Sequence, residues 1–290
     1  MKIVNVIGGL GNQMFQYAFA FALKKRNINE DIFVDISHFN GYVIQKNGYE
    51  LERIFPNTTI VSASCWDICK VSWFLPYYFL SRFAHKYFPK RKSEYYEPKD
   101  FVYDPHALEQ NGDKYFDGYW QSAKYFDEYR DDLLHEFMFD ISDDENLILA
   151  KKMKVLNSVG IHIRRGDYVN NTTFGSVCTL DYYERGIKAI IQSVVSPKFY
   201  IFSNGKDWCE ENIIPLLSGY DVELVDINSG TTSFCDMFLM TQCQNLIIAN
   251  SSFSWWAAYL NQNKGIIIAP KKWTSLDYED NVPLEEWMLI

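Results

Sequence analysis

Hydrophobic positions along this chain fall into two regimes that meet near its middle. In the second half, short, largely apolar runs at 159–163, 198–203, 221–227, 245–249 and 265–269 alternate with stretches of helical spacing at 180–195, 206–217, 233–243 and 253–261. Within the first of those stretches Tyr183, Ile187, Ile190 and Val194 share one face. Apolar strands separated by amphipathic helices predict a parallel, doubly wound sheet covered on both faces. The first half begins in the same manner, with a strand at 2–7, a glycine turn and a helix at 12–25. That helix carries Met14, Phe15, Ala18, Phe21 and Ala22 at helical spacing and a basic last turn that suits its dipole. A second strand is expected at 31–36, after which the pattern is irregular and aromatic as far as residue 140. The polar stretch 142–156 marks the boundary, giving an N-terminal α/β domain at 1–145 and a C-terminal one at 146–290.

Composition narrows the partners. At 290 residues and 48% apolar content the chain can bury two cores. A formal charge of −9 argues against nucleic acid, which asks for a basic stripe, and against a broad footprint on anionic membranes. Aromatic residues reach 17% and suit either a core or the faces of sugar rings. They are densest at 66–88, from Trp66 through Trp73 and Phe83 to Phe88, and are followed by Lys90, Arg91 and Lys92. Asp67, Lys70, Pro76, Arg82 and Lys86 interrupt that stretch, so it does not read as a membrane span. Two readings stay open: a buried helical hairpin, which the sequence favours, and an interfacial element with its basic cluster at the headgroups. The six cysteines form no C-x-x-C pair and do not combine with the five histidines at zinc spacing, as expected of reduced thiols in a cytosolic protein. The first apolar run is too short for a signal peptide and leads straight into a strand–turn–helix unit.

Three motifs carry candidate chemistry. Gly8, Gly9 and Gly11 sit between a strand and a helix, where a ligand can approach the backbone at the helix N-terminus. A dinucleotide fingerprint is the rival reading, with Asp35 at the end of the second strand as the ribose carboxylate, but its third glycine position is Met14. Asn12 follows at the helix start, where sequence alone favours capping as its role. The second motif runs from His162 to Tyr168 and closes an apolar strand with Arg164, Arg165, Gly166 and Asp167. Two guanidiniums at a strand end in an α/β sheet ask for an anion such as phosphate. Strand alternation puts His162 and Arg164 on one face and Arg165 on the other, so one arginine meets the ligand while the other packs or pairs. Asp167 reads more readily as an arginine's ion-pair partner than as a base. The third motif, Asn250 to Trp256, offers Ser251, Ser252 and Ser254 at a strand end that opens a helix. No P-loop is present, and no Asp-x-Asp triplet of the kind that chelates a cation under a sugar nucleotide. A nucleotide diphosphate here would be neutralised by arginine and backbone N–H groups, with no metal implied.

These motifs together resemble the bacterial α-1,2-fucosyltransferases over essentially the whole chain. The residues that carry the resemblance are Gly8 through Ala18, Asp117 through Ser122 with Tyr125 and Phe126, His162 through Tyr168, and Asn250 through Trp256. The resemblance implies two Rossmann-like domains facing a cleft, a glycosyltransferase fold of the GT-B type, with GDP-fucose held mainly by the C-terminal domain. It implies that His162 and Asp236 contact the guanine, Arg164 the β-phosphate, and Ser251 or Ser252 the phosphates. Asn12 is similar to the family asparagine that reaches the reacting centre, and Gly11 and Asp167 join the substrate-binding set. It further implies GDP-fucose as co-substrate with no metal or other cofactor, and a galactose-terminated glycan as acceptor.

An α-linked product from GDP-β-L-fucose requires inversion, hence one displacement through an oxocarbenium-like state with charge building on the leaving β-phosphate. In the α-1,6 relatives an acid shortly after the Arg-Arg motif takes the acceptor's proton, but here that region reads Asn170, Asn171, Thr172, and the base is left open. The expected setting is the cytoplasm, with a peripheral contact at the inner face of the cytoplasmic membrane or with a lipid-linked acceptor. Two other function classes remain as alternatives: an NAD(P)-dependent oxidoreductase built on Gly9, Gly11 and Asp35, and a non-enzymatic carbohydrate-binding protein using its aromatics.

Overall fold

Each half of the chain folds around its own all-parallel sheet, as the alternation of apolar runs and helices demands. The computed structural model describes residues 1–40, 47–73, 83–84, 86–155 and 157–290, and the chain divides into two compact units, Met1–Asp140 and Ile141–Ile290. In the first unit β1 (Lys2–Asn5), α1 (Leu10–Arg26) and β2 (Ile32–Asp35) form a βαβ element with its two strands parallel and adjacent. Two further strands, β3 (Glu94–Tyr96) and β4 (Lys114–Asp117), complete a sheet of order β2-β1-β4-β3. Neither was expected from the sequence, since each is only a few residues of mixed polar and aromatic character. Among the helices that flank this sheet are α2 (Leu51–Ile54), α3 (Cys65–Val71) and α4 (Arg130–Glu136). Nearly all of α1 from Leu10 to Leu23 is buried, which makes it the unit's central helix and not a one-sided surface helix.

The second unit begins with α5 (Asp144–Val155), so the polar stretch expected to mark a boundary is a helix that packs on α8 (Phe234–Gln242). Its remaining elements are β5 (Ser158–Ile163), α6 (Leu180–Ser193), β6 (Lys198–Ser203), α7 (Lys206–Asn212), β7 (Asp221–Val225), β8 (Asn245–Ile247), α9 (Ser252–Leu260), β9 (Ile267–Ala269) and β10 (Met288–Leu289). The helix expected at 206–217 stops at Asn212 because Pro215 cannot continue it; a 3₁₀ turn at Ile214–Leu217 follows. Sheet order is β10-β9-β8-β5-β6-β7. Counted from β5, that is the 3-2-1-4-5-6 order of doubly wound dinucleotide folds. The chain grows outward through β6 and β7, then returns to add β8 beside β5. The order therefore reverses between β5 and β8, the place where such sheets bind ligands at their C-terminal ends.

Of the aromatic stretch at 66–88, residues 74–82 and 85 lie outside the described residues, and the described part includes exposed rings. Trp66 is 82% exposed, and Phe83, Tyr87 and Phe88 are exposed as well. Phe74, Tyr77, Tyr78 and Phe79 lie outside the described residues. No helix among the described residues is long and apolar enough to cross a membrane.

Candidate active site

The C-terminal ends of β5 and β8 carry the two motifs singled out in the second half. His162 is the penultimate residue of β5, 6% exposed, and its ring packs against Phe253 in the first turn of α9. Burial, with Arg164 adding to it, pushes its pKa down to about 3, so the imidazole stays neutral at any working pH. Its Nδ1 is buried with no hydrogen-bond partner among the described residues. Arg164 follows on the same face, with its guanidinium 5.5 Å from the Tyr168 ring centroid and one terminal nitrogen 2.7 Å from Asp167. Its Nε is likewise buried and unpartnered. Arg165 turns the other way, 4.4 Å from the centroid of Trp208, while its backbone N–H donates to Asn204. A cation over an indole is a packing arrangement. Of the two guanidiniums, Arg164 is thus the one aimed at the switch point, and Asp167 is its ion-pair partner.

The opposite lip is the turn from β8 into α9. Asn250 is buried and its amide donates to the carbonyls of Phe174 and Trp273, which ties the turn to two neighbouring loops. Ser251 occupies the cap position without a side-chain cap bond. Tyr168 donates to the Asn250 carbonyl at 3.3 Å, so the two lips are joined through this one side chain. Ser254 donates back to the carbonyls of Ala249 and Ser251 and is structural. Ser252 opens the helix and is partly exposed.

Asp236 lies farther along the same edge of the sheet, in the first turn of α8, which carries the chain from β7 back to β8. Burial pushes its carboxyl up to about 6, against the opposing pull of the Asn228 amide 2.8 Å away. Asn228 is in turn locked in a reciprocal amide pair with Asn146 at 2.9 Å in both directions. That clamp was not foreseen, since its members come from α5 and the β7–α8 loop.

In the first unit the motif residues form a cluster of their own, at the β1/β4 switch point. The cap of α1 is Gly9, and Asn12 is the third residue of the helix, so the capping role expected for Asn12 does not hold. Its Oδ1 accepts a hydrogen bond from Gln121 at 2.9 Å. Gly8 has φ +84°, and a Cβ there would come within 2.7 Å of the Asn12 amide nitrogen, so only glycine lets this side chain fold back over the turn. Gly11 is buried beside it. Gln13 donates to the Gly8 and Gly48 carbonyls and accepts from the Glu50 N–H. Gln16 accepts from the Ile7 N–H and donates to the Gly118 carbonyl. Asn5 donates to Asp117 at 2.8 Å. The Asp117–Ser122 motif, which had no role in the sequence reading, is therefore the partner that closes around Asn12.

Asp35 is fully buried, with one carboxylate oxygen taken by the Tyr115 hydroxyl at 2.6 Å and the other by the Ser37 N–H at 2.8 Å. Neither oxygen is left for a ribose, which removes the physical basis of the oxidoreductase alternative. Among the described residues no group of three or more His, Cys, Asp or Glu side chains could hold a metal ion.

Residues 78–290 match the sequence profile of glycosyl transferase family 11. The chain belongs to this family. Family 11 membership makes it a glycosyltransferase and leaves the oxidoreductase and carbohydrate-binding alternatives without support. An α-1,2-colitosyltransferase of Escherichia coli is 33% identical over 99% of this chain and 98% of its own length. Galactoside α-(1,2)-fucosyltransferase 2 of Rattus norvegicus is 30% identical over 93% of this chain and 69% of its own. Among solved structures, a mutant of FUT1 from Arabidopsis thaliana in complex with GDP superposes with a TM-score of 0.53 at 13% identity, covering 97% of this chain and 74% of that one. At that identity the likeness speaks to the fold, and it agrees with the two Rossmann-like units of a GT-B glycosyltransferase described for this family 11 member.

Proposed function

We propose that the chain transfers L-fucose from GDP-β-L-fucose to the 2-hydroxyl of a galactoside, inverting the donor to an α linkage. The observation that carries this reading is the pair of buried nitrogens at the C-terminal end of β5 that have no hydrogen-bond partner among the described residues, Arg164 Nε and His162 Nδ1. A guanidinium suits a phosphate, and a neutral imidazole suits the edge of a base. In this reading Ile141–Ile290 is the donor unit and Met1–Asp140 the acceptor unit. Arg164 receives the charge that builds on the leaving β-phosphate, Ser251 and Ser252 meet the phosphates at the start of α9, and His162 with ionised Asp236 reads the guanine. Asn12, steadied by Gln121, belongs to the acceptor side. Arginine and N–H groups do the work that a cation would otherwise do, so the reaction proceeds without metal. The exposed Trp66, Phe83, Tyr87 and Phe88, with Lys86, Lys90 and Lys92 nearby, give the chain a peripheral contact with the cytoplasmic face of an anionic membrane. Failure to co-sediment with anionic vesicles would remove that last element.

The test is transfer from GDP-fucose to a lacto-type disaccharide in EDTA, with the product's linkage read by NMR. An α-1,2 product formed by the native protein and lost in Arg164→Ala is the expected result. Product formation only on addition of a divalent cation would overturn the metal-free reading, and full activity in Arg164→Ala would overturn the role given to that residue. Identity of 33% to a colitosyltransferase over 99% of the chain favours one second reading, that the donor sugar is colitose. Competition between GDP-fucose and GDP-colitose at equal concentration separates the two.

A further inference from the structure

A chain of polar side chains runs through the second unit from Asp143, by way of Asn146 and Asn228, to Asp236. We propose that Asn228, backed by Asn146, sets the base preference of this site by holding Asp236 as a hydrogen-bond acceptor toward the guanine edge. The inference rests on the donor reading proposed above, and every residue in it belongs to Ile141–Ile290.

The geometry fixes the direction of each bond in the chain. An ionised carboxylate only accepts, so Asp143 takes the backbone N–H and one side-chain N–H of Asn146, at 2.8 and 2.9 Å. The Asn146 backbone N–H first, then its amide, hold the Asp143 carboxyl below its ordinary range. The orientation of the Asn146 amide is thereby set, and its remaining N–H goes to Asn228 Oδ1. Asn228 returns one N–H to Asn146 Oδ1 and has a single N–H left, which it donates to Asp236 Oδ1 at 2.8 Å. Turning either amide over would set an oxygen against a carboxylate. Asn146 is 3% exposed in the first turn of α5, so the backing is buried. The loop after Asn228 is braced by a capping box between Ser229 and Thr232.

Asp236 Oδ2 takes no hydrogen bond among the described residues, which leaves that oxygen for a ligand. Guanine presents an N1–H beside an amino group, two donors that suit a carboxylate. Adenine presents an acceptor at N1 beside its amino group, which suits a protonated carboxyl instead. An N–H aimed at Oδ1 favours the ionised form and so selects the guanine edge. Burial works the other way and lifts the carboxyl to about 6, with the Asn228 N–H as the first opposing influence. The charged groups that face Asp236 are Lys206, at the start of α7, and Asp226, just past β7. These two pair with each other, and their effects on Asp236 have opposite sign. That leaves the Asn228 N–H as the donor that keeps Asp236 ionised near neutral pH.

The test is calorimetric titration of GDP and of ADP into the native protein, Asn228→Ala and Asp236→Asn, in EDTA at about pH 6.5 and about pH 8.5. Expected for Asn228→Ala at the lower pH is GDP affinity about tenfold weaker, with the preference for GDP over ADP narrowed by a similar factor. At the higher pH both return to within about threefold of native, because the carboxyl there ionises without help. A preference unchanged at the lower pH overturns the proposal. So does a loss of equal size at both pH values, which is what a purely structural role would give. Should Asn228→Ala fail to fold, NMR of the native protein decides: the Asn228 side-chain amide signals shift with a midpoint at about 6. Signals indifferent to pH between about 5 and 8 overturn the proposal. A native protein that binds no GDP, or Asp236→Asn binding it as tightly as native at both pH values, would instead sink the donor reading on which this inference rests.

Discussion

At the end of the second unit's sheet the candidate site is made of charge: Arg164 with Asp167, then Asp236, with a neutral His162 between them in the sheet edge. At the end of the first unit's sheet it is made of amides: Gln13, Gln16 and Gln121, with Asn5 and Asn12. Both sites stand where a parallel sheet reverses its strand order, so topology alone does not separate them. The difference fits their proposed ligands. A nucleoside diphosphate carries charge that must be matched, whereas a neutral sugar is oriented by directional hydrogen bonds. Burial differs too. Gln13 and Gln16 are fully buried and bond backbone groups of their own unit, while the Arg164 side chain is 25% exposed. The amide cluster therefore holds the fold as well as the site, and the charged site does so much less.

The largest expected effect follows from the charged site. Arg164→Ala should lower kcat by about 100- to 1,000-fold, the cost of removing a donor aimed at developing charge. Its melting temperature should stay close to native, because its ion pair with Asp167 is a half-exposed one. A large drop in thermal stability, read by calorimetry, would break the contrast drawn above. Gln16→Ala should show the reverse, with a loss of about 2 kcal/mol in urea unfolding, since it leaves the part-buried Ile7 N–H and Gly118 carbonyl without this partner. A native urea midpoint in that variant would show that the amide cluster does not carry the fold.

Legibility followed the same division. The strands around Arg164 were readable because they are largely apolar runs, and a strand that ends in His-x-Arg-Arg announces its own chemistry. The first unit was only half readable. Strands β3 and β4 mix charged and aromatic residues over three or four positions, too short for a period to emerge. Asn12 was read as a cap because that role is the common one for an asparagine at a helix start, but Gly9 takes the cap and a turn more than 100 residues away in sequence claims the amide. Gln121 gave no local signal beyond the neighbouring Gly118 and Trp120. Gln13 and Gln16, three apart on an apolar helix, are a sequence signal of buried amides. The exposed Trp66 shows the converse limit, since an aromatic run does not say whether it faces a core or solvent.

A smaller effect comes from Asp236. Its folded-state pKa lies above the ordinary carboxylate value, so it contributes stability at low pH that is lost as pH rises through about 6. Guanine recognition needs the ionised form and moves the opposite way. The KM for GDP-fucose should therefore rise several-fold as pH falls from 7 to 5.5, and Asp236→Asn should remove that dependence. An unchanged pH dependence in the variant would place the titration elsewhere. Smallest is Asp167→Asn. The pair with Arg164 is 55% exposed on the acid's side, and exposed pairs contribute about 0–1 kcal/mol, so kcat/KM should change by less than about fivefold. A loss as large as that of Arg164→Ala would mean that Asp167 does more than steady its neighbour.

The central claim is that the β5/β8 end of the second unit binds a guanosine diphosphate through Arg164 and without metal. Calorimetric titration of GDP into the native protein and Arg164→Ala, both in EDTA, tests it most directly. The account predicts metal-independent binding to the native protein and affinity at least tenfold weaker in the variant, about 1.4 kcal/mol. Binding that is equal in the two proteins, or that appears only when a divalent cation is restored, would contradict it.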